Sequence, residues 1–93
     1  MNFPKGKEIM TFSYVITDEN GIHARPAGML VKLAKETPDR ITVKNKEKSA
    51  DATRLFALMA LGAKKGDTLE FTVTGENAEE TAVRLREFCV KTL

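Results

Sequence analysis

Thr68-Leu69-Glu70-Phe71-Thr72-Val73-Thr74 places leucine, phenylalanine and valine at every second position, between threonines and a glutamate. That period of two belongs to a strand with one apolar and one polar face. Such a strand implies a sheet that is covered on one side and wet on the other. Upstream, Phe12, Tyr14 and Ile16 alternate with Ser13, Val15 and Thr17 in the same way. Arg40 to Lys44 and Lys48 to Ala52 flank the polar tip Asn45-Lys46-Glu47 and read as a hairpin. The period changes between these strands. Ala27, Leu30, Val31 and Ala34 fall at helical spacing in a helix from about Ala24 to Glu36, stopped by Pro38. A short helix over about residues 53 to 62 closes at Gly62. A last helix opens on Asn77 as N-cap, with Glu80 in the capping-box position, and runs to about residue 91. Strand, helix, strand, strand, helix, strand, helix, with no internal repeat, predicts a two-layer α+β open-faced sandwich with three helices on the apolar face.

Composition narrows the function. A chain of 93 residues forms one small core and has no room for a large enclosed substrate cavity. Residues 1 to 10 are expected as a flexible N-terminal extension, since the first nine mix Pro4, Gly6 and charge, and residues 11 to 93 as a single domain. Fifteen lysines and arginines interleave with thirteen acids for a net charge of +2, which excludes the basic stripe of a nucleic-acid binder. Cys89, the one cysteine, shares a helix face with Ala78, Ala82 and Leu85 and is expected in the core. No apolar run is long enough for a signal segment or a membrane span, so a cytoplasmic location is expected.

The one histidine stands in Asn20-Gly21-Ile22-His23-Ala24-Arg25-Pro26-Ala27-Gly28. Asn20-Gly21 reads as a turn, and Pro26 is tolerated only in a first helical turn, so His23 falls at or near an N-cap. Helix N-termini offer unpaired N–H groups and partial positive charge, so a phosphate carried on the imidazole would meet amides from Ala24 onward. The same field disfavours an imidazolium and leaves a ring nitrogen free as a nucleophile. Arg25 adds a planar, permanently charged fork. By itself, a histidine before a helix is more often an ordinary polar cap or a satisfied loop histidine; the arginine and proline beside it reverse that in favour of phosphoryl acceptance.

Gly21-Ile22-His23-Ala24-Arg25-Pro26-Ala27 resembles the active-site motif of the HPr family, the histidine-containing phosphocarriers of the bacterial phosphoenolpyruvate:sugar phosphotransferase system. Lys48-Ser49-Ala50-Asp51-Ala52, followed by Leu55-Phe56-Ala57-Leu58-Met59-Ala60-Leu61-Gly62, is similar to the family's second helix and its approach. Likeness extends over about residues 11 to 93. It implies strand order 1-4-2-3, His23 as phosphoryl acceptor at Nδ1, and Ala24 and Arg25 as the phosphate-binding groups. It also implies enzyme I and the IIA domains of sugar permeases as partners, and a carrier rather than an enzyme. A monomer is expected, with no cofactor, no metal, no nucleic acid and no membrane insertion. A regulatory paralogue of the nitrogen-branch type, whose histidine phosphorylation controls partner binding, would share nearly every residue and is the alternative. A purely structural domain with an incidental histidine is the third reading, and it leaves the His, Arg and Pro together without a purpose.

The short helix carries more apolar residues than one buried stripe requires. Leu55, Leu58 and Leu61 can face the core, while Phe56, Met59 and Ala63 form a second row. That row either wraps the core or forms an exposed docking surface, and the residues alone fit both. Resemblance implies docking, with Leu55, Phe56, Met59 and Met29 as contacts and Lys32 and Lys35 as a basic rim. Family members controlled by HPr kinase carry a serine immediately before the position of Leu55. Arg54 stands there, so regulatory serine phosphorylation is not expected.

Overall fold

The alternation around Phe71 forms the inner strand of a four-stranded antiparallel sheet. In the computed structural model, residues 8 to 93 are described. They run β1 (Glu8–Val15), α1 (Ala24–Lys35), β2 (Arg40–Asn45), β3 (Lys48–Asp51), α2 (Leu55–Ala60), β4 (Thr68–Gly75) and α3 (Ala78–Thr92). Strand order is β1-β4-β2-β3, all antiparallel, with Phe71 between Phe12 and Val43. The Phe12 and Phe71 rings stack with centroids 5.0 Å apart.

Leu69, Phe71 and Val73, with Ile41 and Val43, form the buried face, completed by Ala27, Leu30 and Ala34 of α1, Leu58 of α2 and Leu85 and Cys89 of α3. Burying a side chain such as Phe71 contributes about 2–3 kcal/mol, so this face supplies the main cohesion of the domain. The order and the open-faced α+β architecture agree with expectation. Cys89 is a free, buried thiol, and desolvation pushes its pKa up to about 12, which leaves it a small core side chain.

Four local expectations are corrected. Glu8, Ile9 and Met10, expected in the N-terminal extension, lie in β1, where they pair with Gly75, Thr74 and Val73. A long β4 provides partners that the mixed composition of residues 1 to 10 did not reveal. Residues 1 to 7 of that extension lie outside the described residues. At its other end β1 stops at Val15, before the expected Thr17, because the N–H groups of Ile16, Thr17 and Asp18 go to Asp67 and Leu93 carbonyls.

Ala63 does not belong to the outer row of the short helix: α2 ends at Ala60, Gly62 turns the chain at φ +62°, and Ala63 is buried. Asn77 caps α3, but its side chain makes no cap hydrogen bond. The backbone N–H of Asn77, which a capping-box Glu80 would have taken, donates instead to Asp39 Oδ1 at 3.3 Å, while the Thr81 hydroxyl donates to Asp39 Oδ2 at 2.7 Å. A buried carboxylate from the residue just before β2 thus does the work expected of the local glutamate.

Candidate functional site

The approach to α1 is held from three sides. Asp18 opens a turn in which its side chain accepts the Asn20 N–H (2.8 Å) and its carbonyl accepts the Gly21 N–H (3.0 Å). The Leu93 carbonyl accepts the N–H groups of Thr17 and Asp18 at 2.7 and 2.8 Å. Ile22 donates its N–H to the carbonyl of Ala63 at 3.1 Å, tying the loop to the segment that follows α2. Gly21 makes this approach possible, because it sits at φ +61° and a Cβ there would run into the Ala63 carbonyl oxygen and lie 2.9 Å from Lys64 Cα.

His23 is therefore placed by backbone bonds on either side and not by its own ring. It is the N-cap of α1, with extended backbone at φ −116° and ψ −175°, and its carbonyl accepts the Ala27 N–H at 3.0 Å. The imidazole is exposed and makes no cap hydrogen bond. Ala24 and Arg25 follow with N–H groups that have no carbonyl one turn back inside the helix, and Pro26 contributes none. The first turn contains no acidic residue, and Arg25 is exposed without an ion pair among the described residues. Two amides without a helical partner and one exposed arginine therefore stand within two residues of an unencumbered ring, a setting suited to three anionic oxygens.

The sequence left the outer row of the short helix open, and the structure puts two of its three members at the surface. Phe56 is 81% exposed, Met59 is also exposed, and Leu55 is half-buried. α1 packs against α2 and presents Met29, Lys32 and Lys35 to solvent. Arg54 is the N-cap of α2, and its side chain makes no cap bond.

Sequence reasoning passed over the turn that leads into α2. Thr53 donates both its N–H (2.9 Å) and its hydroxyl (2.7 Å) to Asp51 Oδ1. Those two bonds, with a smaller contribution from Arg40, hold the Asp51 carboxyl below the usual carboxylate range. An Asp two residues before a Thr at a helix entrance was the available signal.

No group of three His, Cys, Asp or Glu side chains among the described residues could hold a metal, and no described helix is long and apolar enough to cross a membrane.

A family model described as the PTS HPr component phosphorylation site matches residues 10–90. The phosphocarrier protein HPr of Vibrio cholerae is 44% identical over 70 residues, covering 75% of this chain and 82% of that protein. That of Mycoplasma capricolum is 31% identical over 81 residues, covering 87% and 91%. The multiphosphoryl transfer protein of Salmonella typhimurium is 41% identical over 76 residues, 78% of this chain, and the chain spans only 20% of its length. Among solved structures, a histidine-containing phosphocarrier protein from Mycoplasma superposes with a TM-score of 0.85 at 30% identity, covering 89% of this chain and 94% of that one. With the family model spanning the exposed histidine at the head of α1, this chain belongs to the HPr family of the phosphotransferase system.

Proposed function

We propose that this protein is a phosphocarrier in which His23 receives a phosphoryl group from phosphorylated enzyme I and passes it to the IIA domains of sugar permeases. The observation that carries this reading is the exposed N-cap imidazole, free of any cap bond, at a helix start where the Ala24 and Arg25 amides have no partner within the helix. As the bond from Nδ1 to phosphorus forms, the donor's phosphorus–nitrogen bond breaks, and charge on the three oxygens in flight is met by those amides and by Arg25. Two amides and a single solvated arginine stabilise the phosphoryl group modestly, and a carrier must release what it accepts. Incubation with phosphoenolpyruvate and enzyme I, read by intact mass, is the direct test. One acid-labile, base-stable phosphoryl group is expected, and its absence would refute the proposal.

Docking is assigned to Phe56, Met59, Leu55, Met29 and Lys32 on α1 and α2. Phe56→Glu should weaken association with enzyme I by about tenfold or more, while changing stability by less than about 0.5 kcal/mol, because the ring is already in water. Calorimetric titration beside thermal melting reads both quantities. A variant that binds normally removes Phe56 from the interface.

Arg54 bears on regulation. It offers no hydroxyl, and the Thr53 hydroxyl beside it is engaged by Asp51 at 2.7 Å. The native chain should therefore gain no phosphate from ATP with an HPr kinase, whereas Arg54→Ser should gain one, since phosphate is favoured at a helix start. Mass spectrometry of both chains decides; phosphate on native Thr53 or Ser49 would restore the regulatory branch that this reading removes.

A further inference from the structure

The peptide group between Ala63 and Lys64 is gripped at both ends. Its carbonyl accepts the N–H of Ile22, the residue before His23, at 3.1 Å. Its N–H, carried by Lys64, donates to Asp67 Oδ2 at 2.9 Å. A peptide plane turns as a unit, so the carboxylate that fixes the N–H also fixes where the carbonyl points. Lys64 Cα is, besides, one of the atoms that crowd Gly21, where an added Cβ would lie 2.9 Å from it. Gly21 and Ile22 therefore both rest on a peptide group whose orientation is set by Asp67.

Asp67 is itself well placed for that task. It directly precedes β4, its carbonyl accepts the Ile16 N–H and its N–H donates to the Lys64 carbonyl, both at 2.9 Å. Asn45, the last residue of β2 and opposite Leu69 in the sheet, is buried. It donates from Nδ2 to the Leu61 carbonyl at 3.0 Å and to Asp67 Oδ2 at 3.4 Å. The two inner strands thus hold the segment from Leu61 to Asp67 at its start and at its end. The bond from the Lys64 N–H, more than the lysines nearby and against an opposing effect of burial, keeps the Asp67 carboxyl below the usual carboxylate range. A charged acceptor of this kind holds an amide more firmly than a neutral one. On the outer side Lys46 Nζ lies 3.9 Å from Asp67 Oδ1, an exposed pair that adds little. β4 is held by its backbone pairing with β1 and β2, to which the Asp67 carboxylate does not contribute.

Given the phosphocarrier reading above, we propose that Asp67 is a positioning residue for phosphoryl transfer: by holding the Lys64 N–H it turns the Ala63 carbonyl toward Ile22 and so sets where His23 stands. Misplacing a reacting group by about 1 Å can cost on the order of 10²-fold in rate. Phe56 and Met59 lie within α2, before the held segment begins, so the loss falls on turnover and not on docking.

Transfer from phosphorylated enzyme I to the full chain, with the carrier concentration varied to separate kcat from KM, tests this. Asp67→Ala should lower kcat about tenfold or more and leave KM within about twofold of native. Asp67→Asn keeps an oxygen that can accept the Lys64 N–H and should return kcat to within about threefold of native. Lys46→Ala removes only the outer pair and should transfer as the native chain does. Amide hydrogen exchange supplies a second readout: in Asp67→Ala the Ile22 N–H should exchange about tenfold faster or more, while Phe71 and Val73 keep native protection.

An Asp67→Ala chain with native kcat overturns the assignment, as does a slowing that Asp67→Asn fails to relieve. Faster exchange shared by Phe71 and Val73 would mean a loosened domain and a merely structural role, and a Lys46→Ala chain as slow as Asp67→Ala would place the effect in surface charge; either result overturns it too. The carrier reading fails separately, if the native chain takes up no phosphoryl group at all.

Discussion

His23→Ala should take up no phosphoryl group from phosphoenolpyruvate and enzyme I, while melting within about 0.5 kcal/mol of the native chain. The two halves of this result have separate causes. His23 is the one imidazole in the chain, so its removal deletes the nucleophile and leaves no alternative nitrogen of that kind. Its ring is exposed and makes no cap hydrogen bond, so little stability goes with it; the turn is held by Asp18, Gly21 and Ile22 through the backbone. Arg25→Ala separates chemistry from charge, retaining acceptance but slowing transfer by roughly 10²–10³-fold, as for the loss of one electrostatic contact to a transition state. Quenched-flow transfer assays with intact mass spectrometry read both variants. Phosphate persisting in His23→Ala overturns the acceptor assignment, and an unchanged rate in Arg25→Ala removes the clamp.

Gly21→Ala should be the most destabilising single-methyl change in the loop, costing about 3 kcal/mol or more. The new Cβ would meet the Ala63 carbonyl oxygen and Lys64 Cα, backbone atoms that cannot swing aside as a flexible side chain would. Relief requires the loop to separate from the segment after α2, losing the 3.1 Å bond from Ile22 to Ala63. For a domain of this size the melting temperature should fall by roughly 12 °C or more, and phosphoryl uptake should slow because the acceptor loop has moved. Gly62→Ala is the control. Its φ is also positive, at +62°, but nothing lies within 4 Å of its added Cβ, so it should cost only the backbone term of about 1–2 kcal/mol. Equal melting temperatures for the two variants would show that the close approach is not maintained in solution.

What was legible in the sequence was what is periodic and local. The alternation at Leu69, Phe71 and Val73 and the helical spacing of Ala27, Leu30 and Ala34 each report a buried face directly, so the elements and layers could be read from them. Contacts across the chain were not legible. Glu80 sits where a capping glutamate belongs, yet the acceptor is Asp39, 38 residues before Asn77 and invisible to any local pattern. Glu8 to Met10 have mixed composition and are strand only because β4 extends to Gly75. For the proposed acceptor site, His23, Arg25 and the turn before them could be read from type and spacing. The reason for Gly21 could not, since it lies in Ala63 and Lys64. Phe56 was undecidable until the direction of α2 was known.

The strand order also affects how the chain is made. β4 is the inner partner of both β1 and β2, pairing Glu8 with Gly75 and Arg40 with Thr74. A nascent chain emerging from its N-terminus can form α1 and the β2–β3 hairpin early, but its first strand has nothing to join until Thr68 to Gly75 have left the ribosome. Until then Phe12, Ile41 and Val43 await the strand that completes their sheet, and the interval is one in which chaperone contact or premature pairing competes with folding.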